Sequence, residues 1–172
     1  MGMDLFARNS KIEGFHANWT GWSEIQVLLS FLEQDLTHMA GDNSGDRVPA
    51  AEARAWGKAV KNAILKDALI VAEVPCAGIE GGWRSWTIPK SKKPLFEATY
   101  KRIMNGEKHQ TLLERYFFMD GIWDRGFKGN NPRQVPKDDE GFIRYKGLDR
   151  DSRDFFLEFA TFCEKSRGFS QH

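Results

Sequence analysis

Four histidines, two cysteines and several acidic runs are the residues from which this chain would have to build a reactive centre. His16, His38, His109 and His172 are scattered. None forms the H-x-H or H-E-x-x-H spacing that brings two imidazoles to one metal. His38 falls near the end of a helical pattern, where an imidazole can meet the terminal carbonyls. Cys76 and Cys163 lie far apart in the chain. A nucleophilic thiol needs an adjacent base or cation, and neither "PCAG" nor the apolar surroundings of Cys163 has a recognised form of that kind. Both read as inert thiols in a reducing cytosol, with a single disulfide as the alternative.

The acidic turn "DNSGD" alternates Asp42, Ser44 and Asp46 as oxygen ligands would alternate. A calcium loop starting at Asp42 requires Gly at its sixth place and Glu at its twelfth, and Arg47 and Ala53 stand there. The expected role is a turn that satisfies its own backbone. A metal-dependent hydrolase using Asp42, Asp46 and a histidine is the enzymatic alternative. "GIEGGWRS", Gly78 to Ser85, matches neither G-x-x-x-x-G-K-[ST] nor G-x-G-x-x-G. Asp138, Asp139 and Glu140 form an acidic run of the solvated type. No cofactor is expected.

Two clusters mix aromatic and basic residues. "WDRGFKGNNPR" holds Trp123, Arg125, Phe127, Lys128 and Arg133; "GGWRSW" holds Trp83, Arg84 and Trp86. Rings of this kind stack on bases or fill partner pockets, and Arg grips phosphate or carboxylate with two parallel hydrogen bonds. Glycines beside them let a ligand or partner backbone come close. The plainer alternative is that the rings are core and the charges stay in water. The segment around 121–140 is long for a loop in a compact domain, and such loops are usually functional or disordered.

The elements that would carry these residues follow from periodicity. "GMDLFARN" alternates as a strand, with Met3, Leu5 and Ala7 on one face and Asp4, Phe6 and Arg8 on the other. "FHAN" brings the chain back in extended form. From Gly21 to Ala40, Trp22, Ile25, Leu28, Leu29, Leu32, Leu36 and Met39 recur at helical steps. Thr20 is the expected N-cap and Gly41 the expected stop. "GDNSGDRV" reads as a linker. A second helix opens at Pro49 with a stripe of Ala53, Trp56, Val60, Ala63, Ile64 and Ala68, and Gly57 is expected to let it approach the first helix as a hairpin. "IVAEV" reads as a strand or as the end of the second helix, strands are predicted at "WRSWTI" and "FIRYKGL", and a helix from Pro94 to Asn105. "KHQTLLERYFFM" reads as a further helix. The last helix, Ser152 to Lys165, presents Phe155, Phe156, Phe159, Phe162 and Cys163, capped by Asp151 or Ser152 and stopped at Gly168.

The fold class expected is α+β: a small sheet packed by a helical hairpin and a C-terminal helix. Its 172 residues suit a single domain, 1–172, burying roughly 70% of the surface of the unfolded chain. Hydrophobic residues are 41%, and six Trp and thirteen Phe supply bulk. A net charge of +1 excludes a polybasic body that holds duplexes without sequence preference. No apolar run reaches the length of a membrane span, and the N-terminus lacks the apolar core of a signal peptide, so a cytoplasmic protein is expected.

"MGMDLFARN", "FHANWTGWSEI", the turn "GDNSGD" and the closing "FFLEFATFCEKSRGF" together resemble a family of small uncharacterised phage and prophage proteins that often begin Met-Gly-Met-Asp. The likeness covers about the first 70 residues and the last 20, judged from these motifs. It brings no catalytic residue and no ligand. It implies a phage or mobile-element setting, in the host cytoplasm, where a small accessory protein acts by binding. The expected function is therefore a non-enzymatic inhibitor of a host or defence complex, such as a CRISPR effector. Its partner would be a host protein or nucleoprotein complex, covered through the aromatic and basic residues above. A sponge for a nucleotide signal, or another small-ligand binder, is the second expectation.

Overall fold

A computed structural model describes residues 2–39, 45–75, 83–104 and 143–172. They fall into two compact units, Met1–Leu69 with Leu148–His172, and Ile70–Gly147. The fold is α+β, as the alternation of strand and helix patterns predicts.

In the first unit, β1 (Gly2–Ala7), β2 (Phe15–Asn18), β3 (Arg47–Val48) and β7 (Phe169–Gln171) form one sheet in the order β2-β1-β7-β3. All three pairings are antiparallel, with Asp4 opposite His16, Phe6 opposite Ser170 and Ser170 opposite Arg47. Strand alternation sends Met3, Leu5, Phe15, Ala17, Val48 and Phe169 inward, and all are buried. Helices α1 (Trp19–Phe31), α2 (Ala50–Leu65) and α4 (Arg150–Lys165) supply the rest of this core. Phe15 of β2 meets Phe155, Phe159 and Phe162 of α4 at ring separations of 5.5 to 6.0 Å, and Trp56 of α2 meets Phe169 of β7 edge-on at 6.1 Å. Each such ring contributes roughly 1.5–3 kcal/mol through burial alone.

The helix ends differ from expectation for a local reason. Asn18, not Thr20, caps α1, its Oδ1 accepting from the Gly21 amide at 2.7 Å. The helix stops at Phe31 rather than running to Ala40. Glu33 takes a left-handed φ of 57°, donates to Ser30 O, and lets the Gln34 amide reach back to Leu29 O. Asp67 does the same after α2, with φ 49°. This pair of reverse bonds is the usual helix stop, normally signalled by glycine. Neither position has one. Leu32, Leu36 and Met39 still pack against the core from the irregular segment. Asp149 caps α4, two residues before Asp151 and three before Ser152, the caps expected, accepting from the Ser152 amide at 2.8 Å.

Gly57 does not face α1. It sits against α4, where an added Cβ would stand 2.6 Å from the Ala160 carbonyl oxygen. The stretch "GDNSGDRV" is also not wholly linker, since Arg47 and Val48 form β3. The closing strand β7, unmarked by any periodicity, enters the sheet between β1 and β3. Cys163 is a buried free thiol, and burial holds it well above the ordinary thiol pKa, with Glu164 adding to the effect.

In the second unit, β4 (Leu69–Pro75), β5 (Trp83–Pro89) and β6 (Arg144–Lys146) form a sheet in the order β5-β4-β6, and α3 (Lys93–Met104) accompanies it. Trp86, Ile88, Phe96 and Tyr100 are its buried bulk. Burial raises the Tyr100 phenol far above its usual value. The helix expected at "KHQTLLERYFFM" lies outside the described residues. Among those described, no helix is long and apolar enough to cross a membrane.

Candidate functional site

The three helices that complete the core of the first unit pack on the inward face of its sheet. The same alternation that buries that face turns Asp4, Phe6, His16, Asn18 and Arg47 outward, all of them exposed. A phenylalanine on the polar side of an alternating strand is the anomaly. Phe6 is 55% exposed, and the edge of its ring meets the His172 imidazole at 5.4 Å. Other large apolar side chains also reach the surface, Leu65 and Leu95 among them, and isolated cases are ordinary. Phe6 differs in its neighbours. With Ala7, Arg8, Arg47 and Ser170 it lines a concavity of about 230 Å³. Among the described residues, no carboxylate lines that concavity.

Backbone pairing fixes these groups. The Arg8 amide donates to Gly168 O at 2.9 Å, which extends the β1–β7 ladder past Ala7. Asp4 and His172 exchange backbone bonds at 2.6 and 2.8 Å. Gly168, at φ +88°, could not carry a side chain here, because a Cβ would lie 2.7 Å from Val48 O. Asp4, an acid on this face, is engaged by His16 Nδ1 at 2.5 Å. What stays available is an apolar ring, two guanidinium groups and a hydroxyl.

The chemistry suited to such a face is recognition. A ring offers a stacking surface, and arginines offer forked donors to phosphate or carboxylate. A second concavity, about 620 Å³, lies between the β1–β2 turn and α4. Its charged lining is balanced, with Lys11 and Lys165 against Glu13 and Glu158, so it selects no charge.

The sequence-predicted residues separate. Trp86 is fully buried, with the Arg84 guanidinium 4.5 Å from its ring centre. Trp83 is half-buried, and the guanidinium of Arg144, from β6, lies 3.9 Å above it. On the same side Lys146 pairs with Glu73 at 2.6 Å, and Ser85 donates to Glu73 at 3.4 Å. Thus Trp83 joins Arg144, while Trp86 belongs to the interior, the plainer alternative for paired tryptophans. Tyr145 donates to Glu97 at 2.8 Å and lies under the Lys93 ammonium; its phenol is pushed up by burial and by Glu97. Trp123, Arg125, Phe127, Lys128 and Arg133 lie outside the described residues, as do Cys76, His109, Asp42 and Ser44.

His38 is not at a helix end. Its Nδ1 contacts Glu52 Oε2 at 2.7 Å, and its carbonyl accepts from the Gln171 amide at 2.8 Å. Among the described residues no group of three or more His, Cys, Asp or Glu stands together as a metal site. The outward sheet face escaped sequence reasoning except at Asp4, Phe6 and Arg8, because Arg47 and Ser170 sit on strands of two and three residues. No protein-family model, curated protein or solved structure matches the chain.

Proposed function

We propose that this chain is an accessory binding protein that acts by occupying a partner's surface, and that its contact surface is the outward sheet face around Phe6. One observation carries the reading: among the described residues, an exposed ring shares a concavity with two arginines and no acid. The exposed part of the ring adds little to the fold and can meet a partner flanked by the two arginines. Truncating an aromatic anchor flanked by arginines is the kind of change that removes most of a binding energy. The likeness of the chain's two ends to phage and prophage proteins supports a host or defence complex as the target and steric blocking as the mode.

The test is capture from a host lysate, quantified by mass spectrometry. The combined change Phe6→Ala and Arg47→Ala is expected to lower partner recovery about tenfold or more. Leu65→Ala, an exposed residue on α2, is expected to leave recovery unchanged. Equal recovery by the wild type and the double variant would remove this face from the mechanism.

A further inference from the structure

We infer that what this face recognises is single-stranded nucleic acid, with a base stacked on Phe6 and the flanking phosphates held by Arg8 and Arg47. The inference rests on the reading of this face as the contact surface and names its ligand class.

The spacing follows from the sheet itself. Arg8 lies two residues along β1 from Phe6, a displacement of about 7 Å. Arg47 lies two strands across, since Phe6 pairs with Ser170 and Ser170 with Arg47, a displacement of about 10 Å. The two cations therefore flank the ring in different directions, each on an arm long enough to reach back toward it. Among the described residues neither guanidinium is held in an ion pair. Ser170 stands between the ring and Arg47 with a hydroxyl that can donate or accept. His172, two residues beyond Ser170, adds ring nitrogens beside Phe6. A base edge placed on the ring thus meets hydrogen-bonding groups, and its phosphates meet positive charge.

Two arginines and, among the described residues, no lining acid favour an anionic over a cationic ligand. The exposed ring argues against a simple acidic peptide, whose carboxylates would engage the arginines and leave Phe6 in water. Every base has a face that stacks, so the site is expected to tolerate sequence. A duplex hides those faces between neighbouring pairs and offers only its backbone. The overall charge of +1 supplies little long-range attraction, so binding depends on this patch and is weak at high salt.

The experiment is fluorescence polarisation with short labelled oligothymidylate and oligouridylate, with a duplex of the same length and a polyglutamate peptide as comparators. Single strands are expected to bind better than the duplex. Two phosphate contacts predict a slope of log K against log salt of about −1.4, falling to about −0.7 in Arg47→Ala. Phe6→Ala is expected to weaken binding roughly 5- to 150-fold, and Phe6→Trp to preserve it. Phe6 points outward, so both variants are expected to keep the wild-type melting curve. Binding that ignores Phe6, a preference for duplex, or polyglutamate bound equally well would overturn the inference. Lack of oligonucleotide binding alongside Phe6-dependent capture of a protein would overturn the ligand class and leave the contact surface standing. Loss of both would remove both.

Discussion

Trp56→Ala is expected to destabilise the first unit by about 3–5 kcal/mol, the range for emptying a buried aromatic site. Trp56 is completely buried in the stripe of α2 that faces the core. Its indole does two things at once. The ring packs edge-on against Phe169, which anchors β7 in the sheet. The Nε1–H donates to the Asp35 carbonyl at 2.8 Å, tying the irregular segment after α1 to the second helix. Alanine leaves a large cavity and strands that carbonyl in a partly buried position. Trp56→Phe keeps most of the volume, so its smaller loss, about 1–2 kcal/mol for the hydrogen bond plus a small cavity term, measures mainly the hydrogen-bond contribution. Urea titration followed by circular dichroism measures both. Similar midpoints for Trp56→Ala and the wild type would mean that α2 does not bury this ring against β7.

Gly57→Ala carries the second large effect, and two principles oppose each other there. In a helix interior alanine is better than glycine by about 1 kcal/mol. At this site the new methyl would lie 2.6 Å from Ala160 O, 3.0 Å from Glu164 Cγ and 3.1 Å from Cys163 Cβ. The first of these is backbone and cannot swing aside, so α2 and α4 must separate. Overpacking of this kind costs about 1–3 kcal/mol beyond the propensity gain. The expected result is net destabilisation, visible as a lower denaturation midpoint. An increase in stability would place Gly57 on a free helix face and contradict the α2–α4 contact.

The helices were legible because their apolar residues repeat where the core lies. Trp56, Val60 and Ile64 on α2, and Phe156, Phe159 and Cys163 on α4, are buried as their spacing implies. The first strand was legible by alternation, including the outward position of Phe6. Three features were not. The stops of α1 and α2 use Glu33 and Asp67 in left-handed conformation, so the glycine that usually marks such a stop is missing. The neighbour of Gly57 lies about a hundred residues away in sequence, and local pattern carries no information about it. The outward site is assembled from β1, β3 and β7, and two of these are too short to show a period. For the aromatic clusters, composition located Trp83 and Trp86 but could not tell the ring that meets Arg144 from the ring that fills the interior.

Hydroxyl-radical footprinting of the free protein and of its captured complex tests the central claim most directly, because it reads side-chain exposure residue by residue. Phe6 and His172 are expected to be oxidised readily in the free protein and protected in the complex, while exposed Leu65 on α2 keeps its rate. Unchanged oxidation of Phe6 and His172 in a complex that protects other residues would contradict the assignment of the partner to this sheet face.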